Sequence, residues 1–261
     1  MYTISTFICV RSLKKSSTSI SVITIEMYKN MIIDYLGHSG FLVETESTVL
    51  LFDFYCGDLS LVRQKAFDKP LYVFASHVHA DHFNPAIFSL AGDARTTKYL
   101  LSFDIKGNPT IPKDCDVQFL DADKTYAIEG LGTVQTLIST DEGVAFLITT
   151  PHAILFHAGD LNWWDWPGED PKWLSEQETV FKREIRKLKD IPIDAAFVVL
   201  DDRLEENFAK GMEFFLSECK AKYVLPMHFA AGSSAVPYYI KHKSTGNSVI
   251  LDTSRETLWE I

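Results

Sequence analysis

The 261 residues are enough for one large domain with a buried core, and 46% hydrophobic with 23% charged residues are ordinary globular proportions. A formal net charge of −10 argues against non-specific binding to nucleic acid and against stable membrane association, because both need a basic face. Cys9, Cys56, Cys115 and Cys219 are scattered with no C-x-x-C spacing, which points away from a zinc knuckle or a disulfide framework and towards reduced thiols in a cytoplasm.

Residues 1–30 hold ten Ser or Thr, four Lys or Arg and a single acid, Glu26, and their apolar run Phe7 to Val10 is too short to span a membrane. They read as a leader-like segment, as an extra edge strand at Ile20 to Ile25, or as sequence upstream of a start at Met27 or Met31. The last is favoured, since a self-contained pattern begins at Met31. The expected division is therefore an extension over 1–30 outside the core and one domain over 31–261.

From Met31 the chain reads as short strands and turns. Phe41 to Glu44 and Thr48 to Phe54 form a hairpin around Thr45-Glu46-Ser47, and Leu71 to Ala75 is a buried strand. Asn84-Pro85 supplies an N-cap and a first-turn proline for a helix running to Leu90. Strands follow at Tyr99 to Phe103, Val117 to Leu120, Lys124 to Ile128, Thr133 to Ile138, Val144 to Thr149 and Ala153 to Phe156. The second half adds a helix over Trp173 to Lys189, a strand at Ala195 to Leu200, a helix over Leu204 to Cys219 and a strand at Tyr223 to Leu225. Val249 to Leu251 and Glu256 to Trp259 are candidates to close the sheet. Each helix carries one apolar stripe and so covers one face of a sheet, which suits two packed sheets with helices outside better than a doubly wound parallel sheet.

Acids and histidines recur at the ends of the apolar strands. Leu71 to Ala75 runs into His77-Val78-His79-Ala80-Asp81-His82, where His77 and His79, two apart on extended chain, point to the same side. Asp53, Asp160, Asp201-Asp202 and His228 each follow another strand. If those ends share one edge, distant segments converge on a multi-ligand metal site; any one acid alone would be an ordinary turn residue. Neutral imidazole and carboxylate are donors that zinc and its neighbours accept. Ser76 has no Gly-x-Ser-x-Gly elbow around it and is not read as a nucleophile.

His77-x-His79-x-Asp81-His82 resembles the H-x-H-x-D-H signature of the metallo-β-lactamase superfamily, and His157-Ala158-Gly159-Asp160 and Pro226-Met227-His228 are similar to its later ligand segments. Leu36-Gly37-His38-Ser39-Gly40-Phe41 with Phe52-Asp53 resembles the branch of ascorbate-6-phosphate lactonase-like and N-acyl-phosphatidylethanolamine phospholipase-like hydrolases. The likeness runs from Met31 to about Phe229. It implies an α/β fold, a four-layer αββα sandwich. It also implies two divalent ions, zinc first with manganese or iron as alternatives. His77 and His79 would hold the first, Asp81, His82 and His228 the second, and Asp160 would bridge them. Asp53 would fix the tautomer of a ligand histidine.

One departure stands out: the family's third histidine on the first metal is missing. His152 lies at the wrong end of its strand, and His157 occupies a position where relatives carry a non-ligand histidine. Asp141 is the expected replacement, with Glu142 as alternative, and a carboxylate there favours manganese or iron more than a three-histidine site does. Trp163, Trp164 and Trp166 either wall a substrate pocket or pack a loop; Arg203 either clamps an anionic substrate or pairs with a neighbouring acid; His38 reaches the pocket rim or caps a turn. The function implied is metal-dependent hydrolysis of a small ester, lactone, amide or phosphodiester, with Asp81 orienting the nucleophile and shuttling its proton. The competitor is a non-catalytic or degenerate metal-binding protein, with a nuclease further behind. A redox di-iron role would favour an acid where Ala80 stands. The partner expected is a small-molecule substrate, and the pattern does not speak to oligomeric state.

Overall fold

The computed structural model describes residues 31–261; Cys9 and the strand expected at Ile20 to Ile25 lie outside the described residues. In chain order, β1 (Ile32–Gly37), β2 (Gly40–Glu44) and β3 (Val49–Phe52) form an antiparallel meander. Helix α1 (Ser60–Ala66) crosses over to β4 (Pro70–Ala75), and β5 (Thr96–Ser102) and β6 (Val117–Leu120) extend the sheet in parallel. The chain then starts a second sheet. Its strands β7 (Thr125–Ile128), β8 (Gly132–Ile138), β9 (Val144–Thr149) and β10 (Ile154–His157) run antiparallel.

Helices α2 (Pro171–Arg186), α3 (Lys210–Glu218) and α4 (Ala235–His242) then alternate with parallel strands β11 (Pro192–Val199), β12 (Lys220–Met227) and β13 (Val249–Ile250). Last, β14 (Leu258–Glu260) returns to pair with β1 in the first sheet. Among the described residues each sheet has seven strands. Parallel neighbours need a crossover, which is why helices enter where the pairing turns parallel.

Side chains alternate faces along a strand, and here the alternation sorts two cores. Phe41, Val43, Leu50, Phe52, Tyr72 and Phe74 face the second sheet and share a core with Phe146, Leu155 and Phe197. Their neighbours Leu42, Leu51, Leu71 and Val73 point the other way, onto Val62 and Ala66 of α1 and onto Ile87 and Leu90. Phe181 and Ile185 of α2 and Met212 and Phe215 of α3 cover the outer side of the second sheet. The result is four layers, α-β-β-α, as the single-striped helices require. Among the described residues no helix is long and apolar enough to cross a membrane.

The expected elements differ from the observed ones in three places. Pro85–Leu90 is a 3₁₀ rather than an α-helix, capped by Asn84 as expected. The helix expected over Leu204 to Cys219 is broken. Asp202–Asn207 is a 3₁₀ turn in which Glu205 has φ 53°, and α3 begins only at Lys210. The cause lies at the turn's start, where the Asp201 carboxylate accepts the Arg203 amide at 3.0 Å and ties the segment to the strand end. Helices α1 and α4, each no more than about two turns long, give too few apolar repeats to be read from the sequence.

Candidate metal centre

The parallel strands carry the candidate residues to one edge. Because β3 and β4 run side by side with Phe52 opposite Phe74, the residues beyond them, Asp53 and Ser76, meet. In the second sheet, Asp160 follows β10, Asp201 follows β11 and His228 follows β12, and all three strands are parallel. Asp53 and His228 sit at left-handed φ of 41° and 67°, as does His38 at 53° in the corner between β1 and β2. Such φ values are uncommon outside glycine and gather where a site over-determines the backbone. The His38 carbonyl holds this corner by accepting the His228 amide and the Tyr35 hydroxyl, each at 3.1 Å.

Two groups of donor atoms result. His77, His79, Asp141 and Asp160 place ligand atoms within 4.8 Å of one another, and so do His38, Asp81, His82 and His228. Asp160 faces both groups. Its Oδ2 is 3.7 Å from His77 Nε2, while its Oδ1 is 3.2 Å from both His82 Nε2 and His228 Nε2. On the first side His79 is flanked by Asp141 Oδ2 at 3.9 Å and Glu142 Oε2 at 3.5 Å. On the second, His38 Nε2 stands 3.3 Å from Asp81 Oδ2.

Behind the donors, carboxylates fix the rings. His82 Nδ1–H donates to Asp53 Oδ2 at 2.7 Å, and His228 Nδ1–H donates to Asp201 Oδ2 at 3.0 Å. The Ser76 hydroxyl donates to Asp53 Oδ2 at 2.7 Å and accepts His77 Nδ1–H at 3.0 Å, so Asp53 reaches His77 through the serine. In all three histidines the Nδ1–H is thereby committed and Nε2 is turned inward. The loop between His77 and His79 is held too, its Val78 amide donating to Asp104 Oδ2 at 2.9 Å.

Charge follows the same geometry. Burial pushes the His77 imidazole down to about 4. Burial also opposes protonation of His82 and His228, yet the Asp160 carboxylate, with Asp53 or Asp201 behind each ring, overrides it and raises them to about 10 and about 9. Burial pushes the Asp160 carboxyl up, but His82 and His228 outweigh it and hold the carboxyl well below its ordinary range.

The turn bearing Asp141 is docked from below. Val144 donates its amide to the Ser76 carbonyl at 2.9 Å, and Gly143, at φ 67°, lies so close that a Cβ would stand 2.0 Å from that oxygen. Only glycine fits both the space and the backbone angle. Buried Thr140 stitches the same turn to the Asp160 loop, its hydroxyl donating to the Asn162 carbonyl at 2.6 Å.

With this geometry in hand, comparison with known proteins places the fold. No family model matches the chain. A UPF0173 metal-dependent hydrolase from Pyrobaculum neutrophilum is 30% identical over 142 residues, which span 50% of this chain and 61% of that protein. The structure of a metallo hydrolase from Ignicoccus hospitalis superposes with TM-score 0.63 at 15% identity, covering 89% of this chain and 98% of that one. This is the metallo-β-lactamase fold. The β-hydroxylase CmlA of Streptomyces venezuelae, as its E377D mutant, superposes with TM-score 0.57 at 13% identity over 88% of this chain and 53% of its own. The fold therefore hosts more than one chemistry, and function has to come from the site.

Within the metallo-β-lactamase fold, the sequence-predicted residues fall as follows. His77, His79, Asp81, His82, Asp141, Asp160 and His228 come together in the two groups, with Asp53 behind His82. His157 does not join them. It is wholly buried, stacked on Phe52 at 5.0 Å, and its Nε2–H donates to the Ser39 carbonyl while Nδ1 accepts the Gly159 amide.

Trp164 lines the adjoining cavity, but Trp163 does not take the pocket-wall position considered for it. It packs outward on Phe181 and Phe214, under the Lys182 ammonium at 4.1 Å. Arg203 lines the cavity and pairs with Asp201, its Nε–H donating at 2.9 Å. The roles of Ser76, Asp201, Asp104, Trp173 and His38 emerge only from the structure. The only available signals were the strand-end position of Asp201 and the Gly37-His38 turn.

Proposed function

We propose that the protein is a metal-dependent hydrolase with a binuclear site, acting through metal-bound water on a small ester, lactone, amide or phosphodiester. The observation that carries this reading is the Asp160 carboxylate, one oxygen turned to His77 and the other to His82 and His228. The donor set suits divalent ions. Among the described residues the buried His77 Nε2 has no hydrogen-bond partner, a costly arrangement for an atom that is not a ligand. His77, His79 and Asp141 would hold the first ion; Asp81, His82 and His228 the second; Asp160 would be shared. With two imidazoles and two carboxylates the first position suits manganese or iron as well as zinc. Bound there, such ions would lower the pKa of water towards about 7 and polarise a carbonyl or phosphoryl oxygen.

The chain's own residues supply the rest. Asp53 and Asp201 hold the ligand rings in the tautomer that frees Nε2, and the half-exposed Asp81, facing His38, is placed to orient the nucleophile and hold its proton. The lactonase-like or phospholipase-like branch remains a reading of the Leu36 to Phe41 motif, and small-molecule rather than nucleic-acid substrates fit the net charge of −10.

The test is metal analysis combined with assays of phenyl acetate, γ-butyrolactone and bis(p-nitrophenyl) phosphate. Wild-type protein loaded with zinc or manganese should turn over at least one of them. Asp160→Asn, folded by circular dichroism, should lose at least about 100-fold in kcat, the scale on which a misplaced catalytic group is felt. A folded wild-type chain that binds neither metal would sink the proposal.

A further inference from the structure

Beside the two donor groups lies a cavity of about 210 Å³ whose lining includes Asp160, His228, Trp164, Trp166, Trp173 and Arg203. It is small beside the roughly 300–1,000 Å³ of pockets that take drug-sized ligands, so it suits a compact group. Part of its wall is a pair of parallel rings. Trp164 and Trp166 stack with centroids 5.9 Å apart and planes 5° apart, and the edge of Trp164 meets the His228 ring at 5.7 Å. Trp164 is buried, and its indole N–H is spent on the Asp160 carbonyl at 3.0 Å, so the ring is locked against the donor groups. Trp166 and Trp173 are only half-buried, leaving ring surface available inside the cavity.

Tryptophan walls can recognise a flat ring by stacking or a quaternary ammonium by cation–π attraction. The positions around Trp166 decide between them. The Arg203 guanidinium, itself held by Asp201, already stands 5.6 Å from the Trp166 ring, so a second cation would have to compete with it for the place beside that ring. A ring without positive charge meets no such competition.

We propose that this cavity is a subsite for a small, flat aromatic group without positive charge, carried by the substrate of the hydrolase. The subsite rests on the hydrolase reading for its purpose, but its occupancy can be measured without turnover. Ligand-observed NMR titration of the full chain, with and without zinc, would compare benzamide, cyclohexanecarboxamide and phenyltrimethylammonium, and would repeat the series on Trp166→Ala and Trp166→Phe.

Benzamide should bind about 2- to 10-fold tighter than cyclohexanecarboxamide, the range expected from ring stacking beyond buried area. Trp166→Ala should abolish the difference, and Trp166→Phe should keep it. Equal binding of the two amides, no binding of either, tighter binding of phenyltrimethylammonium, or a preference that survives Trp166→Ala would each overturn the subsite. If benzamide is preferred while no ester or phosphodiester is turned over, the hydrolase reading fails and the subsite stands. Turnover without that preference means the reverse.

Discussion

Ser76 and Asp53 are bonded twice, the serine amide donating to Asp53 Oδ1 at 2.8 Å and its hydroxyl to Oδ2 at 2.7 Å. Because that hydroxyl also accepts from His77 Nδ1 and Asp53 Oδ2 accepts from His82 Nδ1, one buried carboxylate orients a histidine in each donor group. Asp53→Asn keeps the shape and tolerates the left-handed backbone, but replaces one acceptor oxygen with a donor. It should weaken metal binding about 10- to 100-fold at both positions, read by competition with a chromophoric chelator. Unchanged affinity would show that the carboxylate does not act through the rings.

Asp201 touches only His228 among the candidate ligand histidines, so its effect should be one-sided. Asp201→Asn should weaken the second ion by about 10- to 100-fold and leave the first nearly unaffected, giving two separated steps in a metal titration. A single unsplit step at wild-type affinity would contradict this.

Gly143 lets the Asp141 turn lie against the strand end. In Gly143→Ala the new methyl would stand 2.0 Å from the Ser76 carbonyl at a φ of 67°. Steric displacement and backbone strain together should cost about 2–3 kcal/mol or more in urea unfolding. The displaced turn should also reduce occupancy of the first metal, through Asp141. A loss below about 0.5 kcal/mol, as for a surface change, would mean that the turn relaxes freely.

Far from the site, Glu44 bridges Lys65 at 3.2 Å and Lys69 at 2.9 Å. Burial raises its carboxyl, but the two ammonium groups outweigh burial and hold it below its ordinary value. A lowered folded-state pKa stabilises the fold above the unfolded pKa, about 4.3, and the gain is lost as pH falls through the folded value. The pair is partly solvated, so Glu44→Gln should cost only about 0.5–1 kcal/mol at neutral pH. That difference should shrink as pH falls below the unfolded value, checked by urea denaturation at neutral and at acid pH. A difference that grows in acid would contradict a lowered folded-state pKa.

The sequence carried the fold further than it carried the site. The unbroken apolar runs Phe41-Leu42-Val43 and Leu50-Leu51-Phe52 already pointed to strands covered on both faces, whereas the parallel pairing of β3 with β4 and of β10, β11 and β12 is not written in any one run. His77 to His82, Asp160 and His228 were legible because each sits just past such a run. Ser76 was not, since its role exists only once β3 and β4 lie in parallel register and bring Asp53 alongside it. The facing of the tryptophans was equally hidden: Trp163 and Trp164 are neighbours in sequence, yet one packs on Phe181 and the other on His228. The kink at Glu205 follows a turn capped by Asp201, which no helical periodicity reveals.

The central claim is that Asp160 is shared between two ions. Anomalous diffraction from crystals grown or soaked with zinc or manganese tests it directly. The expected result is two peaks per chain, one among His77, His79 and Asp141 and one among Asp81, His82 and His228, each in contact with a different oxygen of Asp160. A single peak, or two peaks of which one has no contact with Asp160, would contradict it.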